Sequence, residues 1–183
     1  DAFRDFETKR PGPIHIQIPM DVMKLPAGAA AATVPAFQAP PIPETAINKA
    51  AKLINASARP VIIAGGGARK AVRHVKSLAE MIDAPVVQTV NARGMLHKHP
   101  LDVPASPSLV AVRRLLAQSD CVVAIGTEFG ETDFDMYADG KFPLLKSVIR
   151  IDIDSAQIKR RPHAVGIAGD AKYVLEVLLP KLN

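Results

Sequence analysis

Cysteine is nearly missing from this sequence: Cys121 stands alone among 183 residues. No internal disulfide can form, which excludes a disulfide-stapled scaffold. Set inside the apolar burst "CVVAIG", Cys121 reads as a small core residue in a reducing, cytoplasmic setting. Aromatic side chains are also scarce, at 4%. With little to stack on bases, the net charge of +5 reads as a solvated basic surface, and no nucleic-acid partner is expected. Long apolar runs are absent, since none approaches the roughly 20 residues that cross a bilayer, so no membrane association is expected. The opening "DAFRDFETKR" has neither the apolar stretch of a signal peptide nor the Ser/Arg bias of a transit peptide. Beginning at Asp1, the chain reads as a fragment of something longer.

Catalytic signatures are equally thin. His15, His74, His97, His99 and His163 are scattered, and "HKH" at 97–99 lacks a third ligand to complete a metal site. No serine or cysteine has a convincing base partner, so nucleophilic catalysis is not indicated.

What is present divides by composition. Residues 24–43, which include "LPAGAAAATVPAFQAPPIP", are rich in Ala and Pro and almost uncharged, the composition of an extended, semi-rigid linker. Before it, Ile14, Ile16 and Ile18 alternate with His15 and Gln17 at the period of a half-buried strand. That strand reads as belonging to something upstream.

From residue 44 to residue 183 the pattern becomes one of repeated strand and helix units. Ile47, Ala50, Ala51 and Ile54 fall at helical spacing, with Thr45 as the expected cap, and Val61 to Ala64 follow as a short apolar strand. Val72, Val75, Leu78 and Ile82 form a second stripe, and Leu109, Val112, Leu115 and Leu116 a third. "PVVQTV", "CVVAIG", "SVIRIDID" and "AVGIAGD" supply strands, and "AKYVLEVLL" a last helix. Apolar strands alternating with helices predict a doubly wound, Rossmann-like parallel α/β sheet covered on both faces.

Ligands of such sheets lie outside the carboxyl ends of the strands, where strand order reverses. Those ends are Gly65-Gly66-Gly67, 91–94, 126–130, 152–154 and Gly169-Asp170. A dinucleotide fingerprint needs G-x-G-x-x-G/A and an acidic residue after the next strand. Gly65 and Gly67 fit, but Lys70 holds the third position and "PVVQTVN" ends without an acid. A glycine loop feeding a helix remains, suited to a phosphate or equally to a tight turn.

Taken in order, "RPGPIHIQIPMDV", "ARPVIIAGGGA", "APVVQTVNARGMLHKHP", "SDCVVAIGTEFGE", "IRIDIDSAQI" and "GDA" resemble the central domain of thiamine-diphosphate-dependent enzymes, in the branch of acetolactate synthase large subunits and 2-oxo acid decarboxylases. "GTEFGETDFDMYADGKFPL" followed by "IRIDID" is most similar to the 5-guanidino-2-oxopentanoate decarboxylases of arginine breakdown. The resemblance implies a three-domain chain that forms a homodimer or homotetramer. A glutamate in a preceding pyrimidine-binding domain would activate the cofactor, and a following domain would anchor its diphosphate through magnesium. Neither element stands in this sequence, so the resemblance implies no catalysis by the piece alone. "GDAKY" departs from a Gly-Asp-Gly metal motif at Ala171, and Asp170 is expected to cap the final helix.

Some members of that family carry FAD or ADP in this domain. The resemblance places such a nucleotide against Gly65, Gly66, Gly67, Thr127, Asp152, Asp154, Gly169 and Asp170. For the two aspartates of "RIDID", capping of the next turn is an equal reading. In flavin-containing synthases the segment after the central strand resembles Gly-Val-Arg-Phe-Asp-Asp-Arg, where this chain has Gly126-Thr127-Glu128-Phe129-Gly130-Glu131-Thr132 and neither arginine. An acidic residue facing a pyrophosphate repels it, so FAD is disfavoured and ADP is the better candidate. Glu128, Glu131, Asp133, Asp135 and Asp139 form an acidic loop that could pair with a cationic substrate, Glu128 and Glu131 foremost, or could simply be solvated. An independent nucleotide-binding domain, sirtuin-like or flavoprotein-like, is the other reading of the chain.

Overall fold

A computed structural model describes residues 2–8, 12–26, 28, 41–139 and 142–183. The chain divides into two compact units, Asp1–Pro40 and Pro41–Asn183. In the first, α1 (Ala2–Thr8) carries an edge-to-face contact between Phe3 and Phe6, and a short 3-10 turn spans Val22–Lys24. Residues 12–19 form no strand, and Ile14, Ile16 and Ile18 are all exposed. An extended segment has no ladder without a neighbouring strand to pair with, and none is present among the described residues of this unit. Most of the Ala/Pro-rich stretch lies outside the described residues.

The second unit contains α2 (Glu44–Asn55), β1 (Pro60–Ala64), α3 (Val72–Met81), β2 (Val86–Gln88), β3 (Asp102–Val103), α4 (Val110–Gln118), β4 (Cys121–Ile125), α5 (Met136–Asp139), β5 (Ser147–Asp152), α6 (Ser155–Lys159), β6 (Val165–Ala168) and α7 (Ala171–Leu178). The strands form one six-stranded sheet in the order β3-β2-β1-β4-β5-β6, and every neighbouring pair is parallel. This is the doubly wound architecture expected from the alternating pattern, with the order reversing between β1 and β4.

Side chains alternate between two cores. Ile62, Ala64, Val123, Ile125, Ile149 and Ile151 face α2, α3 and α7, whose buried stripes include Ile47, Val75, Leu78, Val174 and Leu178. Val61, Ile63, Val122, Ala124 and Val148 face the other way, onto Val112 and Leu116 of α4 and onto Phe129 and Phe134. Two local expectations fail. Pro43, not Thr45, is the N-cap of α2: its backbone is extended and Glu44 is the first helical residue, which leaves Thr45 inside the first turn. Leu109 is the N-cap of α4 and 53% exposed, so it adds nothing to that helix's buried face.

Candidate functional site

The glycine loop after β1 is shaped by its neighbour after β4. The Gly65 amide donates to the Ile125 carbonyl at 2.8 Å, Gly67 donates to the Gly126 carbonyl at 3.0 Å, and Gly126 donates to the Ile151 carbonyl at 2.8 Å. A Cβ on Gly65 would lie 2.2 Å from the Gly126 oxygen, and one on Gly67 would lie 2.9 Å from the Gly126 Cα. Gly126 has φ of +58°, and a Cβ there would meet Gly67 at 2.6 Å. A Cβ on Gly66 would stand 3.1 Å from the Asn91 Cβ. These glycines let two backbones pass in contact at the point where strand order reverses. Loop packing alone therefore requires glycine at 65, 67 and 126, whatever lies above them. The segment that follows is a 3-10 helix, Gly66–Ala71, not the first turn of an α-helix.

The remaining crevice residues gather at the same end of the sheet. Thr127 is buried, its hydroxyl accepts the Phe129 amide at 3.2 Å, and its carbonyl accepts from Arg150. Asp152 accepts the Asp154 amide at 2.9 Å, and Asp154 caps α6 by accepting the Ala156 amide at 2.8 Å. Gly169 donates to the Asp152 carbonyl, and Asp170 caps α7 by accepting the Lys172 amide at 2.9 Å. Each of these bonds removes an orphan donor at a turn or helix start. Among the described residues no group of three or more His, Cys, Asp or Glu side chains could hold a metal ion.

The acidic loop is held from several sides. Phe129, at a left-handed φ of +55°, is buried and packs edge-to-face on Phe134 with ring centroids 5.9 Å apart. Phe142 completes the cluster, 5.0 Å from Phe129 and 4.8 Å from Phe134. Asp133 accepts the Val90 amide at 2.9 Å, tying the loop to the turn after β2, and Arg113 of α4 donates to the Phe134 carbonyl. Arg161 lies over the Phe142 ring at 4.5 Å and donates to the Met136 sulfur. A left-handed conformation at an aromatic residue is strained, and these contacts hold it. Glu131 is exposed and Glu128 partly so.

The residue that sequence reasoning passed over is Arg150. It sits on β5 in the alternating position of Val148, facing the second core, and is 1% exposed. Its guanidinium donates to the Thr127 carbonyl at 2.7 Å and the Gln157 carbonyl at 2.9 Å, and lies 4.6 Å from the centre of the Phe129 ring. Burial lowers its pKa, partly countered by Asp152 and reinforced by Arg161 and Arg160. A charged residue set between Ile149 and Ile151, in the middle of a buried strand, was the available signal.

At the opposite end of the sheet, Asp120 accepts from the Ser57 hydroxyl and from the amides of Ala58 and Arg59. These bonds, the Ser57 hydroxyl first, hold its carboxyl down at about 2. Burial, aided by the Asp120 charge, pushes the neighbouring Cys121 thiol up to about 11. A pocket of about 300 Å³ opens here, lined by Ser57, Arg59, Asp83, Leu115 and Ser119 among others. It lies at the amino ends of β1 and β4, whereas ligands of such sheets sit at the carboxyl ends, and its lining pairs no nucleophile with a base. The topological crevice is therefore the stronger site.

Residues 47–178 match the family described as thiamine pyrophosphate enzyme, central domain. The chain is 37% identical to the "Probable 2-ketoarginine decarboxylase AruI" of Pseudomonas aeruginosa, over 99% of this chain and 33% of that protein. It is 36% identical to the acetolactate synthase isozyme 1 large subunit of Escherichia coli, over 98% of this chain and 33% of that protein. In structure it resembles a protein described as a thiamin diphosphate-dependent enzyme from Mycobacterium smegmatis, with a TM-score of 0.67 at 20% identity, covering 85% of this chain and 31% of that one. The chain thus spans about a third of the length of these relatives. No helix among the described residues is long and apolar enough to cross a membrane.

Proposed function

The chain belongs to the thiamine pyrophosphate enzymes, as their central domain, and from that membership we propose that its parent enzyme decarboxylates a cationic 2-oxo acid, 5-guanidino-2-oxopentanoate foremost. Thiamine diphosphate with magnesium, held by other domains of the parent, supplies the electron sink for loss of carbon dioxide. This chain's part is scaffolding and substrate selection, with no turnover of its own. The observation that carries the reading is the braced acidic loop at the carboxyl end of β4, with Glu128 and Glu131 standing on it. Carboxylates there suit a planar guanidinium, which they can grip bidentately, whereas they oppose a second pyruvate carboxylate. The name of the Pseudomonas relative agrees with this choice of substrate.

In the same reading, residues 1–23 complete a strand of the preceding pyrimidine-binding domain, residues 24–43 link the two, and residues 44–183 form the central domain. The parent works in the cytoplasm as a homodimer or homotetramer. The crevice takes ADP in preference to FAD, with Asp152 and Asp154 beside its ribose. Family membership leaves an independent sirtuin-like or flavoprotein-like domain without support. The test compares kcat/KM of the intact enzyme on 5-guanidino-2-oxopentanoate with that on pyruvate. A preference of at least tenfold for the guanidino acid supports the assignment, and a preference for condensing two pyruvates replaces it with acetolactate synthesis.

A further inference from the structure

Arg150 has no place in the chemistry so far, and its position is costly. A guanidinium taken from water needs partners that replace its hydration. Those partners are the Thr127 carbonyl at one end of the β4 loop, the face of Phe129 two residues on, and the Gln157 carbonyl of α6. Two of the three belong to the acidic loop. The bond to Thr127 fixes where the loop leaves the sheet, and stacking on Phe129 covers the ring of the residue at φ of +55°. Arg161, close enough to Arg150 to depress its proton affinity, braces the far end of the loop through Phe142 and Met136. The acidic segment therefore rests on a basic floor supplied by β5 and the turn after α6.

We infer that Arg150 is a positioning residue: it locks residues 127–129 against β5 and thereby sets where Glu128 and Glu131 stand. A planar guanidinium is required, because a single ammonium cannot reach two carbonyls and lie flat on a ring together. The part of this inference that concerns substrate rests on the reading of the loop given above; the part that concerns loop order does not.

The experiment uses the intact enzyme carrying Arg150→Met or Arg150→Lys. Hydrogen–deuterium exchange is measured for peptides spanning 126–136, alongside KM and kcat for 5-guanidino-2-oxopentanoate. Asp120→Asn, at the other end of the sheet, controls for general loss of stability. Arg150→Met should raise exchange in the loop at least tenfold and KM at least fivefold, with kcat within twofold. Arg150→Lys should lie between Arg150→Met and the unaltered enzyme, and it carries the comparison alone, at a threefold rise in exchange, if Arg150→Met does not fold. Asp120→Asn should change neither quantity. Unchanged loop exchange overturns the inference, as does loosening that Asp120→Asn reproduces. A loosened loop with unmoved KM also overturns it, if Glu131→Gln does shift KM. A loosened loop in an enzyme whose Glu131→Gln variant keeps its KM upholds the lock and removes the substrate reading instead.

Discussion

Gly65 and Gly126 meet backbone to backbone: a methyl group on the first would stand 2.2 Å from the carbonyl oxygen of the second. That contact closes the two loops at the strand-order reversal and cannot be relieved by a side-chain rotation, because both parties are main chain. Gly65→Ala should therefore destabilise the domain by about 2–3 kcal/mol, at the upper end of overpacking costs. Gly130→Ala, whose added carbon would meet the Asp133 carboxylate at an ordinary 3.5 Å, should change stability by less than about 0.5 kcal/mol. Urea unfolding of both variants checks the pair; equal effects would mean that the loops separate more readily than this contact implies.

Asp120 predicts a pH signature. Its carboxyl is held at about 2 against an ordinary 3.8, so the folded state favours the charged form. The stability this confers is fully present above the unfolded value and is lost as pH falls through the folded one. Asp120→Asn should cost about 1 kcal/mol near neutrality, a low figure for charge-assisted bonds because the group is partly exposed. The gap between variant and parent should narrow as pH drops from about 4 to about 2. A gap that is constant with pH would mean that the charge contributes nothing to this turn.

Cys121 should be inert in the folded protein. It is buried, and its thiol is raised to about 11, so little thiolate exists at pH 8 and reagents cannot reach it. Labelling with a thiol-specific disulfide reagent should be slow in buffer and fast in denaturant. Rapid labelling of the native state would show that the β4 end of the core opens.

Purified chain should be colourless and should retain no flavin through dialysis, because Glu128 and Glu131 oppose a pyrophosphate near the loop. Yellow protein whose flavin survives dialysis would contradict the placement of these carboxylates.

Much of this was legible in local sequence. The apolar strands announced the parallel sheet, and the polar residues ending them marked the crevice, because both signals are carried by a few adjacent residues. What escaped depends on distant partners. The three glycines look like a phosphate cradle until Gly126 and Asn91 are seen against them, and those contacts join loops far apart in sequence. Arg150 passed as one more charge in "IRIDID", because only register shows that it shares a face with Val148 and points into the core. Asp102 and Val103 form a strand too short to show periodicity, held by Gln88 and by pairing with β2. Ile14, Ile16 and Ile18 have the pattern of a strand but no partner among the described residues to complete it.

The central claim is that the acidic loop selects a cationic substrate, and it is tested most directly by the kinetics of Glu131→Gln in the intact enzyme. One charged contact of this kind is worth roughly 1.5–3 kcal/mol. KM for 5-guanidino-2-oxopentanoate should therefore rise about tenfold to a hundredfold, while KM for a small neutral-tailed 2-oxo acid such as pyruvate stays within twofold. An equal change for both substrates, or none for either, would contradict the account.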